Sequence, residues 1–283
     1  MNVRQRFAKS LPVLLLLATS MGIACQGNSN RNEPEKSATP ATPKSRHKGS
    51  TTVGVYRPSL NAFLLRNSNL PGNPDVTLTY GIEGDFYLAG DWDGNGTDTV
   101  GVYRPGNNTF YLRNSNTNGD PDVVVGYGTK GDIPVVGDWD GDGTTTIGVF
   151  RPSNSTFYLR NSNAPGEPDL VVGYGSAGDI PIVGDWDGNG TVTVGVYRPS
   201  TNAFLLRNNN SSGGPDISFT YGIKGDIPLA GDWNGDGSTT VGVYRPSLLS
   251  FLLRNSNTSG DPETNVAYGT VKDVPVVGDW DGQ

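Results

Sequence analysis

Residues 132–152 read DIPVVGDWDGDGTTTIGVFRP, and closely similar stretches recur at a fixed interval along the chain. The tryptophan of this stretch recurs every 47 residues, and so does the motif GVYRP, which is GVFRP in this copy. A fixed period of this size is typical of β-propellers and solenoids. The repeated tryptophans are Trp92, Trp139, Trp186, Trp233 and Trp280.

Each repeat contains four short runs that are typical of β-strands. In the copy around Trp139 these runs are 132–139, 146–152, 156–163 and 169–175. They are rich in Val, Ile, Tyr and Phe, and they are bounded by Gly, Pro or Asn. Four antiparallel strands in a repeat of this length form one propeller blade.

The two ends of the repeat region complement each other. The region begins at Thr51 with the second strand of a unit and ends, over 273–280, with the first strand of a unit. Each strand type therefore occurs five times. We predict an all-β fold, a five-bladed β-propeller over 49–283, in which the C-terminal strand completes the first blade. The alternative is a piece of a longer open array.

The first 48 residues have a different character. Residues 1–25 combine three basic side chains, the apolar run 11–18 and the ending GIAC, which is typical of a lipoprotein signal peptide with Cys25 as the lipidated residue. The apolar run is short for a membrane-spanning helix. Residues 26–48 are polar and predict a disordered linker. We therefore expect a secreted lipoprotein anchored to the bacterial cell envelope; the alternative is an ordinary signal peptide with an incidental cysteine.

Charge and composition exclude several classes of function. Residues 49–283 contain thirteen basic and twenty-six acidic side chains, a net charge of −13. Such a domain repels phosphate backbones, so we expect no nucleic-acid partner. The single cysteine, Cys25, and the single histidine, His47, both precede the domain. Disulfides, zinc sites of the His/Cys type, thiol nucleophiles and Ser-His-Asp triads are therefore excluded from it. We expect a monomeric domain that meets the membrane only through its lipid anchor.

A short acidic loop, which begins at the aspartate just before each of the first four tryptophans, lies between the first two strands of each complete repeat. Oxygen-bearing side chains occupy its positions 1, 3 and 5, and Gly occupies position 6, a spacing that can wrap a Ca²⁺ ion. The alternative is a tight turn held by Asx side-chain to backbone hydrogen bonds. The side chains concerned are Asp91, Asp93, Asn95, Asp138, Asp140, Asp142, Asp185, Asp187, Asn189, Asp232, Asn234 and Asp236.

The motif GDWDGNGT at 90–97, followed by VGVYRP at 100–105, resembles the FG-GAP or VCBS-type repeats of integrin-α-like propellers found in bacterial surface proteins. The resemblance extends over 51–283. It implies a propeller fold, Ca²⁺ in loops of the D-x-D-x-D-G type, and a role in adhesion or recognition.

The same resemblance implies that Asp91, Asp93 and Asn95, with their equivalents in later repeats, are the Ca²⁺ ligands. One position departs from the family pattern. The family has a liganding Asp at position 9 of the loop, whereas this chain has Thr99 and its equivalents there. Asp98, at position 8, is the nearest additional carboxylate. Loss of a carboxylate ligand predicts a weak Ca²⁺ site.

The repeated tryptophans and arginines each permit a structural and a functional interpretation. The five tryptophans either stack against a sugar ligand or wedge between neighbouring blades. Two sets of five arginines are predicted to pair with the acidic loops or the blade edges. These arginines are Arg57, Arg104, Arg151, Arg198 and Arg245, and Arg66, Arg113, Arg160, Arg207 and Arg254.

The repetition itself indicates binding rather than catalysis. Catalysis needs unlike groups that converge at one place, whereas this chain presents like groups five times. We therefore expect no enzymatic activity. The predicted function is multivalent recognition of a carbohydrate or another surface ligand, because linked weak sites gain avidity. The alternative is a structural or protein-interaction platform with no small-ligand site.

Lipidation of Cys25 is the first testable prediction. Metabolic labelling with a fatty-acid probe should mark the wild-type protein and should not mark Cys25→Ser, because the thiol is the acceptor of the lipid. Cell fractionation should show the variant released from the envelope. Equal labelling of both proteins would contradict the anchor.

Overall fold

A computed structural model describes residues 49–283; the predicted signal peptide, Cys25 and the linker lie outside the described residues. The described chain forms twenty strands and one short 3-10 helix, Pro58–Leu60, and none of its helices is long and apolar enough to cross a membrane. The strands are β1 (Thr52–Arg57), β2 (Ala62–Leu65), β3 (Val76–Thr79), β4 (Phe86–Gly90), β5 (Thr99–Arg104), β6 (Thr109–Leu112), β7 (Val123–Gly126), β8 (Ile133–Gly137), β9 (Thr146–Arg151), β10 (Thr156–Leu159), β11 (Leu170–Gly173), β12 (Ile180–Gly184), β13 (Thr193–Arg198), β14 (Ala203–Leu206), β15 (Ile217–Thr220), β16 (Ile227–Gly231), β17 (Thr240–Arg245), β18 (Ser250–Leu253), β19 (Thr264–Ala267) and β20 (Val274–Gly278).

These strands form five antiparallel four-stranded sheets, which are the blades. Blade 1 has the strand order β20-β1-β2-β3, and blades 2 to 5 follow as β4 to β7, β8 to β11, β12 to β15 and β16 to β19. The first strands of successive blades contact one another, and β20 contacts both β16 and β4, so the ring of blades is closed. The predicted five-bladed β-propeller is confirmed.

The C-terminal strand completes blade 1 as predicted. Strand β20 pairs antiparallel with β1, with Thr52 opposite Gly278 and Tyr56 opposite Val274. Chain segments more than two hundred residues apart thus share one sheet. The predicted third strand is too long, because β10 ends at Leu159 and the residues after it form a loop.

The five tryptophans lie in the core between neighbouring blades. Each is between 3 % and 7 % exposed. Trp92 of blade 2 packs in one cluster with Phe110 of its own blade and with Ile147 of blade 3. A side chain at Gly101 would come within 3.0 Å of the Trp92 ring, so glycine in the second strand makes room for the indole. The sugar-stacking interpretation is therefore wrong, because buried indoles offer no free face, and the wedge interpretation describes their position.

Neighbouring blades are also joined by a repeated backbone contact at the acidic loops. Thr145 N–H of blade 3 donates to the Asp91 carbonyl of blade 2 at 2.7 Å, and Asp91 N–H donates to Thr145 Oγ1 at 3.1 Å. The same backbone bond links every adjacent pair of blades, including blades 5 and 1, which closes the ring a second time. The other pairs are Val192 with Asp138, Thr239 with Asp185, Thr51 with Asp232, and Asp98 with Asp279.

Candidate functional site

The first aspartate of each acidic loop holds the loop together. Asp138 Oδ1 accepts hydrogen bonds from the backbone N–H groups of Gly141 and Asp142, at 2.8 and 3.0 Å, and its Oδ2 accepts from Gly143 N–H at 2.8 Å. Asp91, Asp185 and Asp232 accept equivalent bonds. This is the geometry expected of an Asx-stabilised turn.

The loop of blade 3 also brings three carboxylates together. Within residues 49–283, Asp138, Asp140 and Asp142 form a group in which one oxygen of each lies within 4.8 Å of the others. Burial raises the pKa of Asp138, and the charge of Asp142 acts in the same direction, whereas the backbone hydrogen bonds oppose the shift. The predicted ligand set of this loop is therefore assembled around a partly buried carboxylate. The other three loops have Asn at position 3 or 5.

Position 9 of the loop, where FG-GAP or VCBS-type repeats have Asp, has a structural role in this chain. Thr146 Oγ1 lies 2.7 Å from the Arg160 carbonyl and 3.1 Å from the Gly137 carbonyl, and the residue is buried. A hydroxyl can donate to these carbonyls, whereas a carboxylate would repel them. Asp98, at position 8 of its loop, accepts a hydrogen bond from Asp279 N–H at 2.8 Å and links blades 1 and 2.

The first set of arginines pairs with buried aspartates that precede the first strands. Arg104 donates from Nε and Nη2 to the two carboxylate oxygens of Asp85, both at 2.9 Å, and the Asp85 side chain is 1 % exposed. Asp85 also accepts Ile82 N–H at 3.0 Å. The predicted pairing with the acidic loops is thus wrong for this set. The equivalent pairs are Arg57–Asp273, Arg151–Asp132, Arg198–Asp179 and Arg245–Asp226.

The second set of arginines organises the Asn-rich loops between the third and fourth strands. Arg113 is buried, donates to the Asp120 carbonyl and to Ser115 Oγ, and lies 3.5 Å from the carboxylate of Asp122. Asp122 begins the approach to the outermost strand, so this set pairs at a blade edge, as predicted. The equivalent pairs are Arg66–Asp75, Arg160–Asp169, Arg207–Asp216 and Arg254–Glu263.

Grooves between adjacent blades are a site that the sequence analysis did not identify. Asn61, Tyr80 and Gly81 of blade 1 line a groove of about 400 Å³ together with Arg104 and Tyr111 of blade 2. Residues at equivalent positions in blades 3 and 4 line a second groove of about 480 Å³. They include Ser155, Tyr174, Gly175, Arg198 and Leu205. We name each groove by its two blades, as groove 1/2 or groove 3/4.

One tyrosine per blade places a buried hydroxyl without a hydrogen-bond partner between the blades. Tyr80 and Tyr174, which line the two grooves, are 8 % and 7 % exposed. Burial raises the pKa of Tyr174 to about 12, and the charges of Arg207 and Arg198 in the next blade oppose the shift. The unpartnered hydroxyls at this position of the repeat are those of Tyr80, Tyr127, Tyr174, Tyr221 and Tyr268, and the Tyr244 hydroxyl, at another position, is unpartnered as well.

An unpartnered buried hydroxyl costs stability, since burial removes its bonds to water. Because the five hydroxyls lie at equivalent positions, this cost recurs at every junction between blades. The sequence contained a signal for them, because each tyrosine follows the fourth strand and precedes a glycine at the 47-residue interval. A recurrent Tyr-Gly pair does not show, however, whether the hydroxyl has a partner in the fold.

The second testable prediction compares Tyr174 of blade 3 with Tyr197 of blade 4. Tyr174→Phe should retain or slightly raise the free energy of unfolding in urea, because it deletes an unpartnered hydroxyl. Tyr197→Phe should lose about 1 kcal/mol, because Tyr197 donates to Asn202 Oδ1 at 3.1 Å. An equal loss in both variants would show that the Tyr174 hydroxyl has a stabilising partner.

The same variant has a defined dependence on pH. A raised pKa means that the folded state holds the phenol proton more tightly than the unfolded state does. The contribution of Tyr174 to stability is therefore constant below about pH 10 and is lost as the pH rises towards about 12. Tyr174→Phe should show a shallower alkaline loss of stability than the wild type over this interval.

Comparison with known proteins gives a limited result. No family profile matches the chain, and no curated protein matches it. A solved structure with some similarity is that of a lectin from Agrocybe aegerita, described as specifically recognising non-reducing terminal N-acetylglucosamine. The two are 18 % identical, the match covers 69 % of this chain and 57 % of the lectin, and the TM-score is 0.41. The match thus spans less than two thirds of the lectin's length, and inference about ligands depends on the geometry of this chain.

Proposed function

We propose that the propeller is a non-enzymatic module that binds neutral carbohydrate in the grooves between its blades. The observation that carries this proposal is the set of five buried tyrosine hydroxyls without partners at equivalent positions, because two of these tyrosines, Tyr80 and Tyr174, line the grooves between blades. A sugar hydroxyl that bonds to such a phenol would remove the cost of its burial. Both groove volumes lie in the range of small-molecule sites.

The groups around each hydroxyl suit a ligand with many hydroxyls. The bidentate pair with Asp85 uses Nε and Nη2 of Arg104, and Arg104 lines the groove. Asn61 adds an amide, and the phenol of Tyr80 can donate or accept. Donors and acceptors within one cleft match the alternating needs of vicinal sugar hydroxyls.

The charge of the grooves favours neutral over anionic sugars. Arg104 and its equivalents are each neutralised by a buried aspartate. The surrounding domain carries a net charge of −13. Polyanions such as sulfated or uronic-acid polymers would be repelled from it.

Surface display would make weak sites effective. Several grooves on one rigid ring raise avidity by about 10²–10⁴ on a dense ligand surface. The lipidation motif at Cys25 and the polar linker 26–48 support a location at the cell envelope, with the ring held away from the membrane. The likeness of the repeats to FG-GAP or VCBS-type units supports a recognition role of the same kind.

The third testable prediction concerns retention on polysaccharide beads. The wild type should be retained on at least one of chitin, mannan, dextran or galactan, and not on heparin. The variant with phenylalanine in place of all five groove tyrosines should bind about tenfold more weakly at each groove, because each groove loses one ligand hydrogen bond, and its retention on the beads should fall further through the loss of avidity. Tyr197→Phe is the control, because it leaves all five groove tyrosines in place and can disturb only groove 4/5, through Asn202.

The failure of that experiment has a defined meaning. No retention of the wild type on any neutral polysaccharide would favour a protein-interaction platform. Unchanged retention of the phenylalanine variant would instead overturn the assignment of carbohydrate binding to the groove tyrosines. A separate observation supports that second candidate. The first strands begin with partly exposed apolar side chains around the ring, among which Phe86 is 40 % exposed and Ile180, Ile227 and Val274 are each 37 % exposed.

Calcium in the acidic loops is a separate part of the proposal. The three carboxylates of Asp138, Asp140 and Asp142 support it in blade 3, where a cation would offset the buried charge. The missing ligand at position 9 predicts weak binding. Structural turns without an ion are the alternative for all of the loops.

The fourth testable prediction is therefore a weak calcium site in blade 3. Titration calorimetry should give a dissociation constant of about 10⁻⁴–10⁻³ M. Asp140→Asn should abolish the heat without changing the melting temperature of the calcium-free protein, because blade 5 has Asn234 at the same position. No heat in the wild type, and no effect of a chelator on melting, would leave the loops as turns.

A further inference from the structure

The five junctions between adjacent blades differ at two positions, which line the grooves observed between blades 1 and 2 and between blades 3 and 4. We use the groove names 2/3, 4/5 and 5/1 for the equivalent positions at the other three junctions. The first position is the residue with left-handed backbone after the second strand, with φ between 48° and 54°. In grooves 1/2, 2/3, 3/4, 4/5 and 5/1 it is Asn61, Asn108, Ser155, Asn202 and Leu249. The second is on the third strand of the following blade. In the same order it is Tyr111, Tyr158, Leu205, Leu252 and Leu64. Only grooves 1/2 and 2/3 thus combine an asparagine with a tyrosine.

The tyrosine at the second position holds the groove arginine in place. The guanidinium carbon of Arg104 lies 4.7 Å from the centre of the Tyr111 ring, and that of Arg151 lies 4.4 Å from Tyr158. The attraction between a cation and an aromatic face restrains the guanidinium where the ion pair with the buried aspartate does not cover it. The Tyr111 hydroxyl is itself fixed, because Asn107 Nδ2 lies 2.9 Å from it.

The tyrosine also gives these two grooves an aromatic wall. Tyr111 is half-buried, lines groove 1/2 and packs against the apolar cluster of the preceding blade. Leu205 occupies the same place in groove 3/4. The exposed part of the Tyr111 ring, beside the part that the Arg104 guanidinium covers, accommodates the apolar C–H face of a pyranose better than an aliphatic side chain does.

The asparagine at the first position supplies a directed donor. Tyr56 donates to Asn61 Oδ1 at 3.2 Å, and Tyr103 donates to Asn108 Oδ1 at 3.3 Å, which orients each amide with Nδ2 as the remaining donor. Leu249 offers no such group, and the Tyr244 hydroxyl beside it has no partner. Groove 5/1 therefore lacks both features, groove 3/4 has serine and leucine, and groove 4/5 has only the asparagine.

We propose that grooves 1/2 and 2/3 are the two primary sites of the ring, and that they take neutral pyranosides with an exposed C–H face. This inference rests on the proposed carbohydrate function. The two sites share blade 2 and lie side by side, so the ring engages two neighbouring sugar units of one branched or dense glycan. The other three grooves contribute only weakly to glycan binding.

The fifth testable prediction uses substitutions that the chain already contains. Tyr111→Leu and Tyr158→Leu place in blades 2 and 3 the residue found in the other three, so the fold should be unchanged. The probe is an oligosaccharide of whichever bead polymer retains the wild type: chitin, mannan, dextran or galactan. Calorimetry should give two tight sites per wild-type ring, one in each single variant and none in the double variant, each lost site weakening by about tenfold.

A matched pair of asparagine variants tests the same assignment. Asn108→Leu should remove one tight site, whereas Asn202→Leu should leave both, although the two carry the same backbone strain. Five equal sites in the wild type, or unchanged stoichiometry in the tyrosine double variant, would overturn the assignment while leaving carbohydrate binding intact. Absence of wild-type binding to all four polymers would overturn the proposed function, and this inference with it.

Discussion

The bidentate ion pair between each second-strand arginine and a buried aspartate is the contact on which the blades depend. Its aspartate side chain is at most 2 % exposed in all five blades. Removal of one partner from such a pair leaves a buried charge and costs about 3–5 kcal/mol. In blade 1 the pair joins Arg57 of β1 to Asp273 just before β20, so the contact that shapes every blade also fastens the two ends of the ring.

The same ion pair links the scaffold to the candidate site. Because the carboxylate of Asp85 engages one edge of Arg104 and also accepts the Ile82 N–H, it fixes the connection between blades 1 and 2 while it orients the guanidinium towards groove 1/2. Tyr80 approaches the groove from the preceding blade. The groove therefore needs no elements beyond those that build the propeller, which is why it recurs around the ring.

The fold could be predicted from sequence because its determinants are periodic and local. The 47-residue spacing of Trp139 and its equivalents, with four β-rich runs per unit, placed 146–152 and 169–175 within two residues of the strands β9 and β11. The third run was extended too far, because 160–163 also has strand-like spacing. Its course as a loop depends on contacts of Arg160 with residues up to nine positions away, which periodicity does not reveal.

The candidate site could be predicted only in part, because it depends on whether a buried hydroxyl has a hydrogen-bond partner. The acidic loops could be predicted as candidate sites because their spacing matches a known ion-binding pattern. The replacement of Asp by Thr146 at position 9 could also be read from the sequence. The reason for the threonine is its hydroxyl, which donates to the carbonyls of Arg160 and Gly137. These contacts join neighbouring strands, and spacing along the sequence does not reveal them. The Tyr174 hydroxyl gave no such pattern, because burial without a partner arises only when two blades meet.

In this ring several residues that build the scaffold are identical in all five repeats, whereas two residues that line the grooves vary between repeats. The residues that make the blades, such as Arg104 and Asp85, have the same identity in all five units, since a change there would break an ion pair. The two variable groove positions, exemplified by Asn61 and Tyr111, have alternatives that the fold already tolerates elsewhere in the ring. Substitutions at these two positions can therefore change the ligand affinity of one groove with little change in the stability of the fold. Five blades with the same scaffold can thus carry grooves of different affinity.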